Sequence, residues 1–350
     1  NDNRMSISAN VGALHNSLER IRLHRGYRSA KSRTKAALRR IPVVGDAMVH
    51  GVEQVKEDLK RLYLRDGALF EEMGITYYGP VNGHDLGELD AFLRVAKEAE
   101  KPVLLHVVTE KGRGCDFCRD DPDGIWHGVG AFDAQSGRRP VAGGTTQGKA
   151  ISETLMKLAA EDERIYAITP AMTTGAHLTE FAKKYPKRFI DAGIAEEHAV
   201  ALASGIAANG GKPFYGVYSS FVQRTYDQMS QDLCINNNPA AIAVFAASVY
   251  GMNDVTHLGI FDIPMLSNIP NLVYLAPVTK EDYLAMIDWA VEQNEHPVAV
   301  RVPASVISDG KPVAKNFSKL NKYEVTEQGS SVAIIALGSF YGLGQQAAKA

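Results

Sequence analysis

Two neighbouring acids stand at the start of a predicted helix in the second half of the chain. A short strand ending at Asp191 leads through Gly193 into a helix that begins Ala195-Glu196-Glu197-His198. Carboxylates in a first helical turn complement the helix dipole, and taken alone this explanation is preferred to catalysis. A carboxyl held in a low-dielectric place can also share a proton with a ligand, which is general acid–base chemistry.

A basic side chain and two thiols follow a predicted strand in the first half. The apolar run Val103–Val108 ends before Gly112-Arg113-Gly114, which predicts a buried parallel strand whose carboxyl end presents Lys111. Cys115 and Cys118 come next, but a zinc site would need a second pair or nearby histidines at ligand spacing. The chain has only 3 cysteines, which argues against a disulfide framework. Two free thiols in a loop are therefore preferred to a metal or redox site.

The elements that would position these groups alternate between helix and strand. Asp85 and Glu88 have capping-box spacing before apolar residues at helical intervals, which predicts a helix from about Asp85 to Ala99. In the second half, strands are predicted near 165–169, 188–191, 213–218, 240–246, 272–276 and 297–302, with helices over 196–208 and 280–293. This alternation predicts an α/β fold, a mostly parallel sheet with helices on both faces and ligands outside the carboxyl ends of the strands.

The chain of 350 residues is longer than one hydrophobic core usually supports, so two domains and a fragment are expected. We predict a first domain over 1–139 with a solvated basic segment near 22–50, and a Gly-, Pro- and Thr-rich linker over 140–148. A second domain is predicted over 149–315, and the apolar run 331–337 opens a third unit within 316–350. The polar opening residues lack a preceding strand or cap, so we expect the chain to begin inside a domain.

Charge and hydropathy limit the classes of partner that the chain is expected to bind. The formal net charge is -2, which gives no global reason to bind nucleic acid or an anionic membrane. No apolar run reaches the roughly 18 to 20 residues that span a bilayer, and the opening is unlike a secretory signal. We expect a cytoplasmic protein that acts on small molecules.

Several motifs occur in one order along the chain. They are YGPVNGHD at 78–85, KGRG at 111–114, HGVGAFD at 127–133, ITPAM at 168–172, IAEEHAV at 194–200 and YSSFVQRTYDQ at 218–228, after the opening NDNRMSIS. Together they resemble the 1-deoxy-D-xylulose-5-phosphate synthase family of transketolase-like thiamine-diphosphate enzymes, from the first residue to about Val302. The resemblance implies parallel-sheet cofactor-binding domains and a homodimer. It also implies decarboxylation of pyruvate and transfer of the two-carbon unit to glyceraldehyde 3-phosphate, a step in isoprenoid precursor, thiamine and pyridoxal biosynthesis.

The resemblance assigns cofactor roles to particular residues. Glu196 would bind the aminopyrimidine of thiamine diphosphate and so allow the thiazolium to lose its proton, while Glu197 would stay a solvated partner of the helix dipole. Phe221 would stack on the pyrimidine, and Ile194 would hold the cofactor in its bent form. Lys111 would contact the diphosphate.

A magnesium ion is implied beside the diphosphate, as expected for oxygen ligands. Asn3, through its side chain, and Met5, through its carbonyl, match two of its ligands. The third ligand of the family, the aspartate of a Gly-Asp-Gly motif, does not occur in this chain.

The remaining matches concern the reacting groups. His127 and His257 match histidines that move protons near the thiazolium. Tyr218 and Arg224 match residues of the acceptor pocket, and Arg301 is a further candidate for holding an anionic group. His84 is interpreted as a residue that fixes a loop.

Departures from the family pattern cluster in the acceptor pocket. Ala246 and Ala304 stand where the family has the two arginines that grip the phosphate of glyceraldehyde 3-phosphate. Charge-assisted phosphate contacts are worth roughly 1.5 to 3 kcal/mol each, so their loss affects the choice of acceptor. The alternatives are a related enzyme with another acceptor or donor, and a noncatalytic subunit whose partner chain supplies the missing metal segment.

Overall fold

A computed structural model of the chain describes residues 68–119, 121, 126–138, 147–248, 255–302, 317 and 325–350. The predicted roles of Asn3, Met5 and Ala304, the basic segment 22–50 and most of the linker 140–148 lie outside the described residues. The chain divides into two compact units, Asn1–Pro122 and Asp123–Ala350. The domain boundaries predicted above stay predictions.

The first unit is built around two parallel strands. Its elements are α1 (Ala68–Glu72), β1 (Thr76–Asn82), α2 (Leu86–Lys97), β2 (Val103–Val108) and α3 (Asp116–Arg119). The strands pair in parallel from Thr76 opposite Val103, with α2 as their crossover. The predicted strand Val103–Val108 is confirmed at both ends.

Of the capping box predicted at Asp85 and Glu88, the structure shows the N-cap at Asp85. The carboxylate of Asp85 accepts hydrogen bonds from the backbone N–H groups of Gly87 and Glu88, at 3.0 and 3.1 Å. His84, the next residue back, accepts a hydrogen bond at its Nε2 from the backbone N–H of Glu110, 2.8 Å away. This bond ties the loop after β1 to the segment after β2, as expected for a residue that fixes a loop.

The prediction of two free thiols is wrong. Cys115 and Cys118 form a disulfide, and their Cα atoms are 5.3 Å apart. The turn through Asp116 and Phe117 brings the two cysteines close together. Their separation lies within the range that a disulfide can span. The third cysteine, Cys234, is a buried free thiol, and burial raises its pKa to about 12.

The second unit contains a parallel sheet of six strands. In chain order its strands are β3 (Ile165–Thr169), β4 (Phe189–Asp191), β5 (Lys212–Tyr218), β6 (Ala241–Phe245), β7 (Val273–Leu275) and β8 (Val298–Arg301). The sheet order is β4-β3-β5-β6-β8-β7 with every pairing parallel. All six predicted strands occur, with ends shifted by at most two residues, and the α/β class is confirmed.

Helices cover both faces of this sheet. They are α4 (Gln147–Glu161), α5 (Thr179–Lys184), α6 (Glu196–Ala208), α7 (Ser219–Val222), a π-helix (Gln228–Cys234), α8 (Asp262–Leu266) and α9 (Lys280–Glu292). A later helix, α10 (Tyr341–Lys349), has no buried residue. Helix α6 has the predicted bounds, and α9 ends one residue early with a capping box at Thr279. No helix among the described residues is long and apolar enough to cross a bilayer.

The alternation of buried strand residues assigns each helix to a face. In β6, Ala241, Ala243 and Phe245 join a core cluster with α4, α5 and α9, whereas Ile242 and Val244 join a cluster with α6, the π-helix and α8. The chain therefore leaves β3 toward one face and leaves its neighbour β5 toward the other. Such a change of direction opens a crevice beyond the carboxyl ends of the two strands, where open α/β sheets bind ligands.

The apolar run 331–337 does not form a strand. Ile335 is 97 % exposed in this segment, and no strand of the described residues pairs with it. A strand is stable only when its backbone finds a partner, and an apolar run does not supply one by itself. A short turn at Gly338–Phe340 and α10 follow.

Candidate active site at the carboxyl edge of the six-stranded sheet

Glu196 is the first residue of α6 and lies immediately beyond β4. Its side chain is 3 % exposed, and both carboxylate oxygens lie 3.0 Å from one guanidinium nitrogen of Arg224. The Arg224 side chain is 53 % exposed. A buried carboxylate therefore sits at a helix N-terminus, paired with a cation that reaches it from the solvent side.

Asp191, the last residue of β4, shapes the backbone that leads into α6. Its carboxylate accepts hydrogen bonds from the N–H groups of Ala171 and Gly193, at 2.8 and 2.9 Å, and from the hydroxyl of Thr173 at 3.3 Å. Gly193 has a φ of 70°, a conformation that glycine adopts without a steric penalty. Asp191 thus joins the loop after β3 to the turn that presents Glu196. The sequence placed it only at a strand end, and no spacing signal marked this role.

Three aromatic rings lie side by side near the carboxyl end of β5. Tyr218 and Phe221 stack with ring centroids 5.8 Å apart, and the edge of His257 meets Phe221 at 5.3 Å. Nδ1 of His257 is 2.7 Å from the hydroxyl of Thr256. A Cβ on Gly175 would lie 3.0 Å from the Tyr218 hydroxyl, so the bare backbone there leaves room for that phenol in the β3–β5 crevice. The cluster offers an aromatic surface beside an imidazole, a group that can act as a general acid or base.

Arg301, at the end of β8, belongs to a second carboxylate–arginine pair. Its Nε lies 2.7 Å from Asp262, and its Nη2 donates to the carbonyl of Gly259 at 2.9 Å. Asp262 is fully buried and also accepts hydrogen bonds from Ser219, at 2.9 Å, and from the hydroxyl of Tyr274. Burial and the neighbouring carboxylate raise the pKa of Tyr274 well above its ordinary value. Asp262 was missed from the sequence, where a lone aspartate in a short helix gives no signal.

Two buried polar atoms in this unit have no hydrogen-bond partner among the described residues, the hydroxyl of Tyr215 and Oε1 of Gln228. Burial raises the pKa of Tyr215, and the charges of Glu196 and Glu197 raise it further. Tyr215 is therefore a neutral phenol close to the N-terminus of α6. Buried polar groups without partners are uncommon in folded proteins, and they are expected where a ligand completes the bonding.

The structure brings some predicted residues together and separates others. Glu196 pairs with Arg224, while Tyr218, Phe221 and His257 form the aromatic cluster. Ile194 is 60 % exposed at the turn before α6, and His127 is exposed within 126–138. Lys111 is half-buried in the first unit, in the turn after β2.

The predicted magnesium ligands Asn3 and Met5 lie outside the described residues. Among the residues that the structure describes, no group of three or more histidines, cysteines, aspartates or glutamates is placed to hold a metal ion. The magnesium site stays a prediction.

Comparison with known proteins agrees with this arrangement. Residues 1–109 match the family described as 1-deoxy-D-xylulose-5-phosphate synthase, and residues 144–308 match the transketolase pyrimidine binding domain. The 1-deoxy-D-xylulose-5-phosphate synthase of Clostridium acetobutylicum is 41% identical over 97% of this chain and 54% of its own length. That of Geobacillus sp. strain WCH70 is 40% identical over 100% of this chain and 56% of its own.

A solved structure shares the fold. A Pichia stipitis transketolase variant in complex with fructose 6-phosphate superimposes with a TM-score of 0.50, at 20% identity over 58% of this chain and 32% of the transketolase. This chain spans about half the length of the curated relatives it matches. It belongs to the 1-deoxy-D-xylulose-5-phosphate synthase family of transketolase-like proteins, and it carries the N-terminal domain of that family together with a transketolase pyrimidine-binding domain.

Proposed function

We propose that this chain is part of a thiamine-diphosphate-dependent transferase. It would decarboxylate pyruvate and join the two-carbon unit to glyceraldehyde 3-phosphate, giving 1-deoxy-D-xylulose 5-phosphate. The observation that carries this proposal is Glu196, a carboxylate at the start of α6 whose side chain is 3 % exposed. A surface acid that merely complemented the helix dipole would face water, as its neighbour Glu197 does.

The residues around Glu196 fit the aminopyrimidine of the cofactor. Phe221 packs against the same core cluster as Ala199 and Val200 of α6, so an aromatic face and a buried carboxylate border one region. The hydroxyl of Tyr215, which has no hydrogen-bond partner among the described residues, interacts electrostatically with the same carboxylate. A planar heterocycle with ring nitrogens and an amino group supplies the stacking surface and the donors and acceptors that these groups lack.

We assign each residue a role toward the cofactor. Glu196 would hold a proton between its carboxyl and a pyrimidine nitrogen, and Phe221 would fix the ring by stacking. Lys111 would neutralise the diphosphate, and Asn3 and Met5 would supply oxygens to its Mg²⁺. When bound, thiamine diphosphate supplies a thiazolium that accepts the electron pair released by decarboxylation.

Arg224 would serve both Glu196 and the substrate. Its guanidinium is half-exposed while it contacts Glu196, so it can turn toward an anionic acceptor without emptying a packed core. His257, against Phe221, would accept or donate the proton of a substrate hydroxyl, and we assign His127 the same kind of role. Tyr218 would line the acceptor pocket.

A second candidate differs only in the acceptor. Arg301 bonds to Asp262 and Gly259, and Ala246 carries no guanidinium where the family has one. Both observations indicate weaker binding of a phosphate group, and they favour an unphosphorylated aldehyde as the acceptor. Turnover of matched phosphorylated and unphosphorylated aldehydes distinguishes the two, and a strong preference for glyceraldehyde 3-phosphate rejects this candidate.

The main test measures carbon dioxide released from labelled pyruvate by the complete protein with thiamine diphosphate and Mg²⁺. We expect release that increases when glyceraldehyde 3-phosphate is added, with a new ketose phosphate seen by mass spectrometry. No release with or without any aldehyde would contradict the proposal. Sedimentation of the same sample tests the expected homodimer.

A further inference from the structure

The disulfide of the first unit lies in the turn that carries Lys111. We call residues 111–119 the cysteine turn. It begins three residues after β2, passes through Gly112-Arg113-Gly114 and ends in the four-residue helix α3. Cys115 and Cys118 are both half-buried, so neither residue is enclosed in a core.

The two ends of the cysteine turn pack directly on each other. Gly112 has a φ of 77°, and a Cβ there would lie 2.4 Å from the carbonyl oxygen of Cys118. The N–H of Cys115 donates to the carbonyl of Gly112 at 2.9 Å, and the N–H of Cys118 donates to that of Cys115 at 3.0 Å. The backbone beside Lys111 therefore rests on the backbone of a bonded cysteine.

The other links described in the turn are noncovalent. They include the backbone hydrogen bonds given above and a 3.0 Å ion pair between Arg119 and Glu110, whose side chains are 43% and 48% exposed. Exposed ion pairs contribute little, and a helix of four residues is not stable alone. The covalent bond is thus the strongest of the links described between Cys115 and Cys118, the two residues that Gly112 contacts.

We propose that Cys115 and Cys118 form a reversible dithiol–disulfide site, and that its oxidation state sets how tightly the cysteine turn holds the diphosphate of the cofactor. The second half of this proposal rests on the proposed function, through Lys111. The oxidised turn is the binding form. The reduced turn keeps its backbone hydrogen bonds but loses its covalent closure, so Lys111 is positioned less firmly.

The chemistry needs an exchange partner, which is a small-molecule thiol or disulfide. In reduction, one external thiolate attacks the Cys115–Cys118 bond, which frees one cysteine and leaves the other in a mixed disulfide. A second external thiolate then attacks the external sulfur of the mixed disulfide, which leaves two protein thiols and one external disulfide. Two electrons and two protons pass to the protein. Oxidation by an external disulfide follows the same steps in reverse.

The first experiment tests the site without reference to the cofactor. The complete protein is equilibrated in buffers of graded reduced and oxidised glutathione, alkylated, and digested for mass spectrometry of the peptide that contains residues 112–119. We expect reversible conversion between a linked and a doubly alkylated peptide, with faster amide exchange over 112–119 in the reduced protein. A peptide that stays reduced at every ratio, or stays linked in excess dithiothreitol, overturns the redox site.

The second experiment measures thiamine diphosphate affinity by calorimetry at both ends of that titration, with Mg²⁺ present. We expect about fivefold weaker binding after reduction, a typical coupling between two sites. Cys115→Ser/Cys118→Ser should bind as the reduced protein does in both buffers, and Cys234→Ala should respond like the wild type.

The outcomes separate the two proposals. Equal affinity in both buffers, with the disulfide titrating, overturns the coupling and leaves the proposed function intact. Absence of binding in both buffers overturns the proposed function, and with it the coupling, whatever the peptide titration gives.

Discussion

Two carboxylate–arginine pairs stand at the same edge of the six-stranded sheet, and they differ in their access to water. In the Glu196–Arg224 pair the side chains are 3% and 53% exposed, whereas in the Asp262–Arg301 pair they are 0% and 8% exposed. Both are close ion pairs, at 3.0 and 2.7 Å. Of the four side chains only Arg224 is exposed, so it alone can turn toward a ligand that enters from solvent.

Exposure therefore distinguishes a side chain that can contact a ligand, Arg224, from a buried pair that stabilises the fold, Asp262 and Arg301. Asp262 accepts from Arg301, Ser219 and Tyr274, and these donors come from β8, α7 and β7. A buried charge with this many partners fixes the geometry of the strands, and breaking it leaves the others unpaired. Glu196 accepts hydrogen bonds from Arg224, which lies toward solvent.

The largest effect is expected from Glu196→Gln. The amide keeps the shape of the side chain but cannot hold the proton that the pyrimidine requires, so carbon dioxide release from pyruvate should fall about 100-fold or more. The matched control is Glu197→Gln, an exposed neighbour in the same helical turn, which should retain near-normal activity. Equal losses in the two variants would mean that the helix dipole, and not proton sharing, explains both acids.

The next effect concerns stability. Asp262→Asn should lower the free energy of unfolding by about 3 to 5 kcal/mol, because Arg301 stays buried without a counter-charge. Urea denaturation measures the change. As a control, Asp90→Asn removes an ion pair on the surface, in which the Asp90 and Arg94 side chains are 61% and 76% exposed. It should change the free energy of unfolding by less than about 0.5 kcal/mol. A small loss at Asp262 would show that the buried pair is not a structural anchor.

The comparison also explains what could be predicted from the sequence. Strands such as Ile165–Thr169 and helix Glu196–Ala208 follow from local patterns of apolar residues and glycine, which fix their ends within a residue or two. Glu196 was found because its motif resembles a family motif. Strand β1 was missed because Gly79-Pro80 interrupts its apolar pattern and favours a turn.

Contacts between distant residues could not be predicted. Asp262 meets Arg301 across 39 residues of sequence, and Asp191 meets Ala171 across 20. No spacing rule links such pairs, because the sheet order that joins them is a property of the whole fold. For the same reason Arg301 was assigned to substrate from its charge alone, a role that stays a prediction beside its observed bonds to Asp262.

Arg224→Ala tests the pair that can open. Water reaches the carboxylate of Glu196 once the half-exposed arginine is removed. The free energy of unfolding should therefore fall by about 1 kcal/mol, well below the loss expected for Asp262→Asn. The KM for an anionic aldehyde should rise about tenfold, as for the loss of one charge-assisted contact. Carbon dioxide release from pyruvate alone should persist. A stability loss as large as that of Asp262→Asn would remove the distinction between the two pairs.

The smallest effect extends the comparison to two buried phenols. Tyr215 lies near Glu196 with no hydrogen-bond partner for its hydroxyl among the described residues, whereas Tyr274 donates to Asp262. Without cofactor, Tyr215→Phe should leave the free energy of unfolding unchanged or raise it by up to about 1 kcal/mol, because the variant no longer buries an unsatisfied hydroxyl. Tyr274→Phe should lower it by a similar amount, since Asp262 loses a donor. If both variants lose stability equally in urea denaturation, the Tyr215 hydroxyl has a partner already, and it is not a vacant position for a ligand.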